Sequence, residues 1–192
     1  MSKALIVIDA QEDFVRGPLG TVQAVAALAN ITEAVEFATN NGMEIFYTRD
    51  THKSEDAYLK SLEGLILPTP HCIRGTPGWQ LCREALPREF DTANIIDKYT
   101  FGAIGWERFS RLSTFEEIWI CGFCTDICVI SNFMILKVLY PEVPIYVAQD
   151  ACAGTTPEKH NAALDVMRSC QAYVMNLCDL TFMVEEIDED EE

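Results

Sequence analysis

Six short apolar runs, rich in β-branched and aromatic residues, recur along the chain. Each is five to seven residues long and is bounded by turn residues, which favours buried strands over helices. The runs cover residues 4–8, 43–48, 93–97, 117–123, 143–149 and 172–177.

Most of these runs are separated by segments whose apolar residues recur at a spacing of three and four, which is typical of helices. The segments cover 22–40, 127–139 and 157–170, and Thr156 followed by Pro157 is a helix-start signal. Strands that alternate with helices predict a three-layer α/β fold, with a roughly six-stranded parallel sheet between two layers of helices.

The segment 49–92 breaks this alternation because it carries four prolines and three glycines. We predict that it is mostly loop with short helical pieces, and long ordered loops in compact domains are often functional. Ligands of open α/β sheets bind beyond the carboxyl ends of the strands. Polar residues that directly follow the predicted strands are therefore the candidates for chemistry.

The length of 192 residues predicts a single domain over 1–184, followed by an acidic tail at 185–192. A net charge of −16 makes nucleic acid and anionic membranes unfavourable partners. The apolar runs are far shorter than a membrane span and no targeting segment is visible, so we expect a cytoplasmic protein. The eight cysteines are then expected to be reduced thiols.

Charged and nucleophilic residues follow four of the predicted strands. Asp9 follows the first, Asp50 the second and Lys98 the third, and Cys128 lies in the first turn of the helix after the fourth. A helix N-terminus stabilises a thiolate and an oxyanion, and an acid and a cation would complete a nucleophilic site. The alternative for Cys128 is a small apolar side chain that fills a contact between helix and sheet.

Five motifs occur in an order that resembles the isochorismatase-like cysteine hydrolases, and the nicotinamidase branch above all. They are Asp9-x-Gln11-x-Asp13-Phe14, Asp50-x-His52, His71-Cys72-x-x-Gly75-Thr76, Asp97-Lys98 and Thr125-Asp126-x-Cys128-Val129. Matches at 150–153 and 157–164 extend the resemblance, which covers residues 4 to about 177. It implies the Rossmann-like α/β fold of that family.

The resemblance implies a catalytic triad of Asp9, Lys98 and Cys128. Cys128 would attack an amide carbonyl, Asp9 would move the proton, and Lys98 would favour the charged forms of both. It also implies a cis peptide between Phe123 and Cys124, with the backbone N–H groups of Cys124 and Cys128 as the oxyanion hole. We expect Asp126 to cap the helix that follows.

The resemblance further implies a divalent metal, held by Asp50, His52 and His71. One carboxylate and two imidazoles suit zinc, and iron or manganese would also be compatible. Glu63 is placed to be a fourth ligand, whereas the position of an alternative histidine ligand in some relatives is Tyr58 here. The remaining histidine, His160, is expected to pack against or cap a helix.

By the same resemblance, Phe14 would line the substrate pocket, and Leu67 stands in the pocket where nicotinamidases usually carry an aromatic residue. Phe101 and Trp106, which follow Lys98, would supply the missing aromatic wall. The alternative is that these three aromatic residues belong to the core. The implied reaction is hydrolysis of nicotinamide to nicotinate and ammonia through a cysteine thioester. The alternatives are a related cysteine amidase acting on a ureido or N-carbamoyl compound, and a binding member of the family without catalysis. By analogy we expect a homo-oligomer.

Overall fold

A computed structural model describes residues 2–181 and contains one sheet of six parallel strands in the order β3-β2-β1-β4-β5-β6. The strands are β1 (Lys3–Ile8), β2 (Glu44–Asp50), β3 (Ile95–Lys98), β4 (Glu117–Phe123), β5 (Ile145–Ala153) and β6 (Ala172–Met175). The strand order changes direction between β1 and β4, which is where open α/β sheets bind ligands. The predicted α/β fold is confirmed.

Helices connect these strands. They are α1 (Glu12–Val15), α2 (Val22–Asn40), α3 (Glu55–Leu59), α4 (Leu62–Ile66), α5 (Ile130–Leu139) and α6 (Pro157–Ser169). The helix predicted over 22–40 has these bounds, and α6 begins as predicted, with the Thr156 side chain accepting from the Lys159 amide. The helix predicted over 127–139 differs at its start, because a π-helical turn, Thr125–Val129, precedes α5.

The segment between β2 and β3 is mostly loop with short helices, as predicted. A strand-like contact organises it: the His52 amide donates to the Cys72 carbonyl at 2.9 Å, and the Arg74 amide donates to the His52 carbonyl at 2.8 Å. Buried Tyr58 adds a hydrogen bond from its hydroxyl to the Leu67 carbonyl at 2.7 Å. This loop is therefore fixed against the end of the sheet.

The end of β5 differs from the prediction, because the strand continues past Gln149 to Ala153. The pairing register between β4 and β5 shifts between Ile120 and Gly122, so the added residues are irregularly paired. A polar side chain there bonds the segment that follows β6, since Asp150 Oδ1 accepts a hydrogen bond from the Leu177 amide at 2.8 Å. The apolar pattern is interrupted at Gln149 and Asp150 although the backbone stays extended, so the prediction ended the strand too early.

The core lies on both faces of the central strands, whose residues are almost fully buried. Within the described residues no helix is long and apolar enough to cross a membrane, and the eight cysteines there form no disulfide. The acidic tail predicted at 185–192 lies outside the described residues.

Candidate active site

Four candidate side chains meet at the carboxyl ends of four adjacent strands. Asp9 directly follows β1, Asp50 ends β2, Lys98 ends β3, and Cys128 lies in the turn after β4. Asp50 and Lys98 are register partners in the β2–β3 pair. Parallel strands bring their ends to one edge, which unites residues that are up to 119 positions apart in the sequence.

Lys98 is the centre of this group. Its Nζ lies 2.7 Å from Asp9 Oδ2, 3.3 Å from Cys128 Sγ and 3.4 Å from Asp50 Oδ1. All four residues are buried. A lysine buried with two carboxylates and a thiol is stabilised by charge pairing, and its ammonium donates to groups on both sides.

Asp9 is held in a left-handed backbone conformation, with φ of 48°. The Thr48 hydroxyl donates to Asp9 Oδ1 at 2.7 Å. The other oxygen, Oδ2, is paired with Lys98 but accepts no aligned hydrogen bond from any described residue. One carboxylate oxygen is thus anchored by Thr48, and the other faces the Lys98 ammonium without an aligned hydrogen bond.

The pKa values follow from burial and from these contacts. Burial raises the pKa of Asp9 above 3.8, and this effect, together with the charge of Asp50, outweighs the opposing effect of Lys98. Burial works against the Lys98 ammonium, but Asp9, Cys128 and Asp50 raise its pKa well above 10.5. Lys98 therefore stays charged.

Burial also raises the pKa of the Cys128 thiol well above 9.0, and Lys98 offsets this only in part. The sequence led us to expect that Lys98 keeps this sulfur ionised. The structure corrects that expectation for the resting state, because loss of hydration outweighs the attraction of the nearby cation. The resting group is a thiol, and a thiol becomes a nucleophile only when a base removes its proton.

The turn that carries Cys128 is fixed from two directions. The Ile127 and Val129 amides donate to the Cys124 carbonyl at 3.1 and 3.0 Å, and the peptide between Phe123 and Cys124 is cis, as the resemblance implies. The Thr125 hydroxyl meets His160 Nδ1 at 2.8 Å, which ties the turn to α6.

Asp126 does not cap the helix that follows, so that expectation was wrong. Its carboxylate accepts from the amide and the hydroxyl of Thr155, at 2.8 and 2.6 Å. Gly154 makes this possible, because a Cβ there would lie 2.8 Å from Asp126 Oδ1 and 2.9 Å from His160 Cβ. The carboxylate therefore joins the turn to the loop after β5.

Asp50, His52 and His71 form a cluster in which one potential ligand atom of each residue lies within 4.8 Å of the others. Asp50 Oδ2 is 3.2 Å from His52 Nε2 and 3.5 Å from His71 Nε2. The carboxylate of Glu63 lies beside both rings, with Oε1 at 3.9 Å from His52 Nε2 and 3.5 Å from His71 Nε2.

The donor atoms of this cluster fit a divalent metal ion. His71 Nδ1 donates to the Thr69 carbonyl at 2.9 Å, which leaves the lone pair of Nε2 facing the carboxylates. His52 Nε2 is buried and has no hydrogen-bond partner among the described residues. Two imidazole nitrogens and the Asp50 carboxylate, with the Glu63 carboxylate beside both rings, are a set suited to zinc, iron or manganese.

The pKa directions within the cluster reflect its close contacts. Burial raises the pKa of Asp50, but its contacts with His52, His71 and Lys98 outweigh this and lower it below 3.8. Burial lowers the pKa of His71, and its contacts with Asp50 and the Thr69 carbonyl reverse this, so the pKa lies above 6.5. The cluster concentrates negative charge where a cation would bind.

A cavity of about 260 Å³ opens onto Cys128, Asp50 and His71. Its walls are mostly apolar. Phe14, Leu67 and Phe101, which were expected to line the pocket, do so, and the sequence interpretation missed Leu19, Phe123 and Ile127. These residues lie in or beside elements whose apolar positions predict core packing, so no pattern distinguished them.

Trp106 does not line this cavity, and its assignment to the pocket was wrong. The side chain is fully buried, and its indole N–H donates to Asn132 Oδ1 at 2.8 Å. The Tyr140 hydroxyl donates to the Trp106 carbonyl at 3.0 Å. A buried indole needs an acceptor, and α5 supplies one through Asn132 in the core rather than at the pocket wall.

The Isochorismatase domain family matches residues 3–179. The chain belongs to the isochorismatase family. This confirms the resemblance drawn from the five motifs, and members of this family are amidohydrolases.

Three relatives illustrate the similarity. An uncharacterised isochorismatase family protein of Bacillus subtilis, PncA, is 33% identical over 145 residues, which are 68% of this chain and 75% of that protein. The crystal structure of the nicotinamidase PncA from Bacillus subtilis has a TM-score of 0.78 and 27% identity, covering 92% of this chain and 100% of that one. A pyrazinamidase of Pyrococcus horikoshii, solved in complex with zinc, has a TM-score of 0.76 and 24% identity, covering 92% and 99%.

Proposed function

We propose that this isochorismatase domain is a cysteine amidase that hydrolyses nicotinamide to nicotinate and ammonia. The observation that carries the proposal is the position of Lys98 Nζ, 2.7 Å from Asp9 Oδ2 and 3.3 Å from the sulfur of Cys128, which lines one cavity together with Asp50 and His71. A nucleophile, a base and a cation in one buried group are the parts that acyl transfer needs.

In the proposed reaction Oδ2 of Asp9 takes the thiol proton as Cys128 Sγ attacks the amide carbonyl carbon. The backbone N–H groups of Cys124 and Cys128 stabilise the oxyanion of the tetrahedral intermediate. Asp9 then passes its proton to the leaving nitrogen, the C–N bond breaks, and ammonia leaves a thioester. The raised pKa of Asp9 supports this double role, because a base must also be able to return its proton.

Hydrolysis of the thioester uses the same residues in reverse. Asp9 takes a proton from water, whose oxygen attacks the thioester carbonyl, and the C–S bond breaks. The proton on Asp9 returns to the Cys128 sulfur, and the carboxylic acid product gives its own proton to solvent and leaves as its anion. The charge on Lys98 stabilises Asp9 in its ionised form and the sulfur as it becomes negative.

Asp50, His52 and His71 would hold a divalent metal, with Glu63 as a possible fourth ligand. Zinc is the ion we favour, since the donor set is compatible with it and the similar pyrazinamidase is described in complex with zinc. When bound, such an ion supplies a positive charge and open coordination positions for a water or for a ring nitrogen of the substrate.

The cavity supports a flat aromatic amide as the substrate. Its volume of about 260 Å³ suits a small molecule rather than a polymer. Phe14 lies edge-on to His71, with ring centroids 5.7 Å apart, and Phe101 also lines the cavity. A pyridine ring would find aromatic and apolar contacts there.

A second candidate is a cysteine amidase that acts on a ureido or N-carbamoyl compound. The observation that favours it is Leu67, which is 39% exposed and gives one side of the cavity an aliphatic rather than an aromatic wall. The same attack by Cys128 would apply, so the two candidates differ in substrate and not in chemistry.

Ammonia release from nicotinamide tests the proposal, with zinc-loaded wild type compared with Cys128→Ala. The matched control is Cys82→Ala, another buried cysteine that does not line the cavity. We expect release by wild type and by Cys82→Ala, and none by Cys128→Ala. Equal release by Cys128→Ala would overturn the nucleophile, and no release by wild type would overturn nicotinamide as the substrate and lead to ureido and N-carbamoyl compounds.

A further inference from the structure

Gln11 is a buried side chain that the proposed reaction does not use. It is fully buried, and both ends of its amide are occupied. Nε2 donates to the Asp50 carbonyl and to the Trp79 carbonyl, each at 2.9 Å, and Oε1 accepts from the Asp50 amide at 2.7 Å. The side chain therefore holds the backbone of Asp50 from both its donor and its acceptor.

The sheet explains why Asp50 needs this partner. The β1–β2 pairing ends at Ile8 and Thr48, because Asp9 turns into a left-handed conformation. Asp50 lies two residues farther along β2, where β1 offers no backbone partner. The Gln11 amide takes the place of the missing strand and satisfies the two backbone groups that would otherwise be buried without a partner.

Gln11 is itself firmly placed. It forms an isolated antiparallel bridge with Leu81, and the Cys82 amide donates to the Ala10 carbonyl at 2.7 Å. Its bond to the Trp79 carbonyl fixes the same loop, and the Trp79 indole donates to the Thr51 hydroxyl next to Asp50 at 2.9 Å. Gln11 thus ties the end of β2 to the segment 79–82, which is itself held by backbone hydrogen bonds.

The direction of the Asp50 side chain depends on the backbone position that Gln11 fixes. Its two oxygens face different partners, Oδ1 toward Lys98 at 3.4 Å and Oδ2 toward His52 and His71 at 3.2 and 3.5 Å. His52 follows two residues later on the same backbone. A shift of the strand end would therefore move two of the three clustered ligand groups together.

We infer that Gln11 is a positioning residue for the metal ligands, and that it sets zinc affinity by fixing the backbone of Asp50. The inference rests on the metal site of the proposed function. Removal of the partners that orient metal ligands typically weakens metal affinity about 10–100-fold. We expect Gln11→Met, which keeps the apolar bulk and removes the amide, to weaken zinc binding within that range.

The test measures the zinc dissociation constant of folded protein by competition with a chromophoric chelator, and the thermal stability of the zinc-free protein separately. The matched control is Asn94→Leu, since Asn94 is a buried amide that bonds the Ile45 carbonyl at 3.1 Å but does not line the cavity. We expect it to lose stability with an unchanged zinc dissociation constant. Added zinc should restore ammonia release by Gln11→Met.

The outcomes distinguish a failure of the role of Gln11 from a failure of the metal site itself. If wild type and Gln11→Met bind zinc equally, Gln11 is only structural and the inference fails. If wild type binds no zinc, the metal site itself fails, and the inference with it. Should Gln11→Met not fold, Gln11→Asn keeps the amide but shortens its reach, and wild-type zinc affinity in that variant would equally overturn the inference.

Discussion

The Thr125 hydroxyl lies 2.8 Å from Nδ1 of His160, and this contact joins the turn that carries Cys128 to helix α6. Thr125 is fully buried. Burial lowers the pKa of His160 below 6.5 despite the nearby charge of Asp126, so the ring is neutral at neutral pH. The contact is a neutral hydrogen bond that sets the position of the nucleophile turn from outside the cavity.

We expect His160→Ala to lower kcat for amide hydrolysis while KM changes little, because the turn that carries Cys128 moves while the walls formed by Phe14, Leu67 and Phe101 stay in place. The buried Thr125 hydroxyl loses its partner, which costs about 1–3 kcal/mol of stability. Steady-state kinetics and urea unfolding check both effects. The control is Lys159→Ala, an exposed neighbour on the same helix, and an unchanged kcat in His160→Ala would contradict the positioning role.

Lys98→Met is expected to abolish most activity. The variant leaves Asp9 and Asp50 buried without their cation, and loss of one partner of a buried pair costs about 3–5 kcal/mol. Loss of the electrostatic support lowers kcat on the order of 10²–10³-fold. The matched control is Lys3→Met, which breaks a largely buried ion pair of 2.8 Å between Lys3 and Glu117, the first residues of β1 and β4.

Chemical denaturation and ammonia release measure these two effects. Lys3→Met should lose stability and keep its activity. Comparable activity in Lys98→Met and Lys3→Met would show that Lys98 acts on the fold alone.

The pH dependence of kcat/KM is expected to reflect the raised pKa of Asp9. The base is active when it is deprotonated, so activity is present above its pKa and is lost as the pH falls through it. Burial raises this pKa above 3.8, and the acid limb should therefore have its midpoint above that value. Circular dichroism at each pH confirms that the protein is folded, and a midpoint at or below 3.8 in folded protein would contradict the assignment of the base.

Leu67→Phe is expected to improve nicotinamide binding. An aromatic pair contributes about 0.5–1.5 kcal/mol of binding free energy beyond the burial of its surface. This corresponds to a decrease in KM of roughly 2–10-fold. Leu65→Phe serves as the control, since Leu65 is 72% exposed and does not line the cavity. A rise in KM for nicotinamide in Leu67→Phe, together with a gain of activity on N-carbamoyl compounds in wild type, would favour the second candidate.

The sequence by itself predicted the order of strands and helices along the chain and the polar residues at the ends of the first four strands, whereas the end of β5 was predicted too early. Helix α2 has the predicted bounds because its apolar spacing and its flanking residues act locally. The same holds for the start of α6 at Thr156 and Pro157. Strand ends are also local signals, and a parallel sheet brings those ends to one edge. Asp9, Lys98 and Cys128 could therefore be proposed as neighbours before the structure was known.

The tertiary structure decided which neighbour each of these side chains contacts. Apolar periodicity indicates that a residue is buried, but it does not indicate which residues it packs against. Trp106 was therefore assigned to the cavity, although its indole bonds Asn132 in the core. Asp126 reaches Thr155 across 29 positions of sequence, because Gly154 leaves space for it. The Cys128 thiol is neutral because burial outweighs Lys98, a balance that depends on every group packed around the sulfur. The sequence determined the elements and the chemical groups, and three-dimensional packing determined their partners and their charges.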